Sequence, residues 1–184
     1  VLPSRQEDEI KRMIAVQIPM LVPFDINQTV FDYHMNISAG DDQSEILLGI
    51  APQDCIAASM TDLEAEGISV QDAFLTSDGI DRFIKRFLPD RLSPAKAVAF
   101  LFSDTQMSEM VVYEGLTLKA SYYLPYGLAD IPDRLDEFCR EMVSCLKSLT
   151  REGRLKKSVS VVLAGFSNDD GMTKALAEAG SIEA

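Results

Sequence analysis

This chain holds little of what most chemistry rests on. Its 184 residues include one histidine, His34, and three cysteines, Cys55, Cys139 and Cys145, with no Cys-x-x-Cys pair. An odd count at these spacings is no disulfide framework, so the thiols read as small buried hydrophobes in a reducing compartment. No apolar run approaches the roughly 18 residues of a membrane span, and no signal peptide is visible. Basic residues are scarce: 17 Lys and Arg face 29 Asp and Glu, a net charge of −12. Nucleic-acid binding and docking on an anionic membrane both need clustered positive charge, so the composition argues against both. The acidity itself reads as solubility. There is no internal repeat or low-complexity segment.

What remains is an ordinary globular composition, 47% apolar and 25% charged, in a length that suits one domain or two small lobes. The opening on Val1 directly before a helix reads as a piece of a longer polypeptide.

Ser4-Arg5-Gln6-Glu7 has the form of a capping box. Ile10, Met13, Ile14 and Ile18 follow at helical spacing, and Pro19 is expected to stop the helix. Thr29 to Ile37 alternates as a strand, with Phe31, Tyr33, Met35 and Ile37 on one side and Val30, Asp32, His34 and Asn36 on the other. A turn at Ala39 to Asp42 leads to Glu45 to Ala51, an almost wholly apolar strand expected to be central, the two forming an antiparallel hairpin. Pro52 to Glu66 reads as a helix with Ile56, Met60 and Leu63 on one face and Gly67 as its stop. Ile68 to Leu75 is a candidate strand. Ser77 is a plausible N-cap for Ile80 to Leu88, with Ile80, Phe83, Ile84 and Phe87 as its apolar stripe.

Pro89 to Pro94 looks like a joint between lobes. Beyond it, Ala97 to Phe102, Glu109 to Tyr113 and Leu116 to Leu124 form a meander turning at Glu114-Gly115. Pro132 suits the first turn of a long helix with Leu135, Phe138, Met142, Leu146 and Leu149 on its face, ended by Gly153. Ser158 to Ala164 reads as a buried strand, 165–171 as a loop and Met172 to Ala179 as a short helix stopped by Gly180. The fold class is therefore α/β in two lobes, residues 1–90 and 91–184.

Three acidic clusters, Glu7-Asp8-Glu9, Asp41-Asp42 and Asp169-Asp170, lack the third ligand or histidine that a metal or acid–base site needs. They read as helix-start or loop acids. His34 falls on the solvent side of its strand. Tyr122, Tyr123 and Tyr126 read as hairpin packing, and Lys156-Lys157 as a solvated edge. Met13, Met20, Met35 and Met60 read as core filling, with an adaptable peptide groove as the alternative.

This order of elements resembles one family. Leu2-Pro3-Ser4, the acidic helix Glu7 to Gln17, Ile18-Pro19, Pro23-Phe24, Val30-Phe31-Asp32-Tyr33, Ile46-Leu47-Leu48, and Leu63 to Ile68 carry the likeness. So do Val98 to Pro125, Pro132 to Leu149, Val159 to Gly165 and Leu176. Together they look like the type IV pilus-assembly protein PilM family and, more distantly, the cytoplasmic domain of the secretion protein GspL and the division protein FtsA. The resemblance implies an actin-like ATPase (ribonuclease H-like) fold, with residues 1–90 as a helix–sheet insertion lobe. Residues 91–184 would be a partial actin-like lobe, a mixed sheet flanked by helices.

The resemblance places the nucleotide loops at Ser103, Asp104 and Thr105 and at Gly165. Both are degenerate: no glycine follows Asp104, and Phe166 replaces a small neighbour of Gly165. Glycine is needed where backbone N–H groups approach a phosphate closely. The family's first phosphate loop, upstream of the matching region, is absent. The expectation is a non-enzymatic scaffold of a type IV pilus or type II secretion platform in the bacterial cytoplasm, reached at the inner membrane through its partners. It holds no cofactor in this chain, and ATP and Mg would belong to the full-length protein. Its partner would be the cytoplasmic tail of an inner-membrane PilN-like protein, with a pilus or secretion motor ATPase as a second. The alternative is a nucleotide-binding switch completed by an upstream segment. A sugar-kinase relative fits less well, since no intact phosphate loop or substrate base is visible.

Overall fold

The computed structural model describes residues 1–23, 25–37, 43–164, 172 and 174–175. The chain divides into two compact units, Val1–Leu75 and Thr76–Ala184. The sequence places the joint at Pro89 to Pro94; the structure places it earlier. The reason is that helix α3 (Thr76–Phe87) is tied to the second unit's sheet through Asp81 and Phe83.

In the first unit, α1 (Glu7–Leu21) lies on a two-stranded antiparallel hairpin of β1 (Thr29–Ile37) and β2 (Ser44–Pro52). Ile10, Ile14 and Ile18 recur at i, i+4 and i+8 and are buried against the face bearing Phe31, Tyr33, Met35, Ile46, Leu48 and Ile50. The strand alternation holds, and His34 is exposed. Several boundaries differ from the sequence reading. Gln6, not Ser4, is the N-cap of α1, without a side-chain capping bond. The Ser4 hydroxyl accepts from Gln6 N–H at 3.0 Å and donates to Glu9 at 2.5 Å. Pro19 does not stop α1 but sits in its last turn, where only one intrahelical bond is lost and Val22 N–H still reaches Ile18 at 3.1 Å.

β2 is not central. Among the described residues it pairs along its length with β1 alone, and its other edge meets only Leu2 at Ser44. Ile68 to Leu75 forms no strand among the described residues; it crosses close to β2, and a Cβ on Gly49 would lie 2.6 Å from Leu75 Cδ1. α2 (Gln53–Ala65) ends where Gly67 takes φ +79°. Gly67 N–H bonds Glu64 and Ile68 N–H bonds Leu63, the paired closure of a Schellman motif. Cys55 is exposed rather than buried, and Met20 is 84% exposed rather than core. Asp41-Asp42 and the turn around them lie outside the described residues.

The second unit is a mixed sheet, ordered β5-β4-β3-β6, flanked by helices. β3 (Ala97–Ser103), β4 (Ser108–Glu114) and β5 (Thr117–Leu124) form the expected meander. β6 (Val159–Ala164) runs parallel to β3 and is half-buried at the sheet edge, not fully buried. α4 (Ile131–Arg151) packs Phe138, Cys139, Met142, Leu146 and Leu149 on Ala97, Ala99, Leu101, Met110 and Val112. It closes at Gly153 (φ +72°) with a second Schellman pair, Gly153 N–H to Thr150 and Arg154 N–H to Leu149. Burial pushes the Cys139 thiol up to about 11, so it stays protonated at neutral pH. Met172, Lys174 and Ala175 are helical, as expected for that stretch.

By strand alternation, Val98, Phe100 and Phe102 face away from α4, and α3 covers that side. Thr76, one residue before Ser77, begins the helix. Ile80 and Ile84 are buried, whereas Phe83 and Phe87 are 45% and 67% exposed. Asp81, only 5% exposed, accepts a 2.5 Å bond from Tyr113 Oη and a salt bridge from Lys85. Burial and this acidic partner push the Tyr113 hydroxyl far above its ordinary pKa.

Two tyrosines therefore respond oppositely to loss of the hydroxyl. Tyr113→Phe deprives buried Asp81 of a donor and is expected to cost about 1–3 kcal/mol. Among the described residues Tyr33 buries its hydroxyl oxygen without a hydrogen-bond partner, so Tyr33→Phe is expected to be neutral or stabilising by up to about 1 kcal/mol. Urea denaturation of both variants checks this; equal losses would refute it.

Candidate functional site

The sequence singles out Ser103, Asp104 and Thr105, at the β3–β4 connection, and Gly165. The structure brings the first three together in one tight turn; Gly165, like Asp169-Asp170, lies outside the described residues. Register pairs Ser103 with Ser108 across the hairpin, which leaves four residues, 104–107, to reverse the chain.

Asp104 organises that reversal. Its backbone N–H donates to Met107 O at 2.9 Å. Its carboxylate Oδ1 accepts from Gln106 N–H at 2.7 Å and Met107 N–H at 2.8 Å. These two amides hold the Asp104 carboxyl below the usual carboxylate range. They are donors of the kind a phosphate would use, and a side chain of the same turn already takes them. In a phosphate-binding loop glycine leaves such amides facing outward; here an acceptor is built in.

A second turn locks the first. Leu128 N–H donates to Asp104 O at 2.7 Å and Ala129 N–H to Thr105 O at 3.4 Å. Ser108 Oγ donates to Tyr126 O at 2.6 Å and lies 2.6 Å from Ser103 Oγ. A hydroxyl has one proton to give, and Ser108 spends it on Tyr126, so Ser103 donates to Ser108. The Ser103 hydroxyl is thus committed inward. Thr105 is exposed and offers its carbonyl to Ala129. Gly127 presses on the loop: a Cβ there would lie 2.2 Å from Thr105 O and 2.3 Å from Gln106 N. Asp130, through Oδ2, accepts from Gly127 N–H at 3.2 Å. Tyr126 is buried edge-on against Phe138, 5.7 Å between centroids, with the Arg134 guanidinium 4.6 Å from its ring centre.

Ser108, Gly127 and the Asp81–Tyr113 pair escape a reading of sequence alone. Gly127 carries one local signal, a glycine three residues past the end of β5 and close after Pro125, which marks a turn. Among the described residues no group of three His, Cys, Asp or Glu side chains is placed to hold a metal ion. Glu7 pairs with Lys11 at 2.9 Å in the first turns of α1, as a helix-start acid would. No described helix is long and apolar enough to cross a membrane.

The Asp104 turn makes one direct prediction. A carboxyl whose folded pKa is depressed contributes stability above its unfolded pKa and loses it as pH falls through the folded value. An NMR titration should therefore place the Asp104 midpoint below the unperturbed 3.8. A midpoint at or above it would mean the two amide bonds do not form.

No family model matches the chain, and no curated protein matches it. Among solved structures it is similar to a chain of one described as "PilM-PilN type IV pilus biogenesis complex", with a TM-score of 0.66 at 15% identity. That match covers 97% of this chain and 61% of the other, so the present chain spans about three fifths of its counterpart's length. The likeness is one of fold, and with the mixed sheet between α3 and α4 it gives the chain the actin-like ATPase fold seen in PilM.

Proposed function

We propose that this chain is a scaffold of the cytoplasmic side of a type IV pilus or type II secretion inner-membrane platform, binding the cytoplasmic tail of a PilN-like membrane partner. The observation that carries the reading is the Asp104 turn, set in a fold shared with a pilus biogenesis complex. Where a nucleotide-using member of this fold would offer free amides to a phosphate, this chain satisfies them with its own carboxylate. Ser103 is turned inward as well. A protein that fills the donors of its Asp104 turn with its own carboxylate is suited to holding a partner rather than cycling a nucleotide. A motor ATPase as a second partner belongs to the same reading.

The test is a thermal-shift titration of this chain and of its full-length parent with Mg·ATP. A bound ligand at a hundredfold excess over its dissociation constant would add about 2.7 kcal/mol. The expected result is no shift in either. A shift in the parent alone would favour a nucleotide switch completed by an upstream segment, which the 61% coverage of the matched chain leaves room for. A shift in this chain would overturn the reading of the Asp104 turn.

A further inference from the structure

Helix α2 buries none of its residues. An isolated helix of this length is marginal in water and ordinarily gains its stability from a packed apolar face. α2 has such a face, with Ile56, Met60 and Leu63 at i, i+4 and i+7. Ile56 and Met60 are only half covered, and Leu63 is 42% exposed. Ile68, whose N–H closes the helix on Leu63 O, is 52% exposed. Asp62, Glu64 and Glu66, in the last turn and at the C-cap of α2, are all exposed. The stretch of chain that carries the stripe has charge of one sign: no Lys or Arg lies between Arg12 and Arg82, while Asp54, Asp62, Glu64, Glu66 and Asp72 are among its acids. A half-bare apolar stripe on a helix whose charged residues are all acidic is complementary to one kind of ligand.

We propose that the Ile56–Met60–Leu63 face of α2 docks a basic segment with apolar anchors from a membrane-bound partner. Apolar side chains of the segment cover the stripe, and its Lys or Arg side chains meet Asp62, Glu64 and Glu66. Met60 suits this role, because its unbranched thioether repacks around differing anchors. Cytoplasmic segments flanking a transmembrane helix carry this chemistry, since Lys and Arg accumulate there. The inference rests on the scaffold reading above and gives the tail a place on the chain. The outer face of α1, Val16 and Met20, is also bare, but it continues from Arg12 and lacks the same complementarity.

The probe is a short synthetic peptide of Leu and Lys at helical spacing, with a Leu and Glu peptide as control, read by fluorescence anisotropy against the whole chain. The expected result is binding of the Lys peptide alone, weakened as added salt shortens the Debye length to about 3 Å. The triple variant Asp62→Asn, Glu64→Gln, Glu66→Gln should weaken it roughly tenfold or more, as should Leu63→Ser, with helix content unchanged. Neutralising an equal number of acids at Glu7, Asp8 and Glu9 should leave binding within about twofold. Equal loss in both triple variants, or no binding of the Lys peptide, overturns the proposal. If the peptide fails while Mg·ATP still gives no shift, α2 is the wrong surface and the scaffold reading survives. If Mg·ATP shifts the chain, the scaffold reading falls, and the peptide result alone decides what α2 binds.

Discussion

Gly127→Ala is expected to destabilise the second unit by about 3 kcal/mol or more, the upper range for forcing atoms into filled space. The added Cβ would lie 2.2–2.3 Å from Thr105 O, Thr105 C and Gln106 N. All three are backbone atoms, so no side chain can swing aside. Either the 125–130 turn or the 104–107 turn must move, and each is pinned by several hydrogen bonds: Leu128 N–H to Asp104 O, Ser108 Oγ to Tyr126 O, and the Asp104 carboxylate to two amides. Gly79→Ala is the control. Gly79 lies inside α3 with nothing within 4 Å of the added atom, so the same change there should stabilise by about 0.4–1 kcal/mol. Urea midpoints of the two variants on opposite sides of the parent would confirm the close approach; two variants alike would refute it.

Much of this fold is legible in the sequence because its signals are local. The period-two pattern of Val30 to Ile37, the 3.6-residue stripe of Phe138, Met142 and Leu149, and the stops at Gly67 and Gly153 each depend on a few neighbours. They hold in the structure to within a residue or two. The misreadings arise where tertiary context decides. An apolar run such as Glu45 to Ala51 suggests burial on both sides, but the number of partner strands depends on chain elsewhere, and β2 has one. Ile68 to Leu75 has strand composition, yet among the described residues it crosses close to β2 without pairing with it. Pro19 is a helix breaker by rule and is tolerated near the end of α1, where its missing N–H removes one bond and little helix follows.

The site was half legible. Asp104 could be placed by order of elements, but its two amide bonds depend on a reversal that no spacing rule specifies. In the Ser103–Ser108–Tyr126 chain the second link joins residues 18 apart. Nothing local to Asp81, four residues before Lys85, marks it as buried. Only the sheet position of Tyr113 makes it a buried anchor.

Phe138→Ala is expected to cost about 3–5 kcal/mol, the range for emptying a buried aromatic site. Phe138 is fully buried between α4 and the sheet and meets Tyr126 edge-on. With domain stabilities of roughly 5–15 kcal/mol, such a loss is a large share of the whole and should lower Tm by roughly ten degrees or more. Phe87→Ala removes the same ring from a position 67% exposed and should stay within about 0.5 kcal/mol. The effect should also reach the site. Tyr126 supplies the carbonyl that orients Ser108, and its ring is held by Phe138 and by Arg134. Once the first of those contacts is gone, the 125–130 turn has less to hold it against the Asp104 loop. Amide exchange at Gln106 and Met107 should then quicken in Phe138→Ala beyond what global destabilisation alone produces, while Phe87→Ala leaves it unchanged. Exchange that tracks global stability equally in both variants would mean that the loop is held by its own hydrogen bonds and owes nothing to the core beneath it.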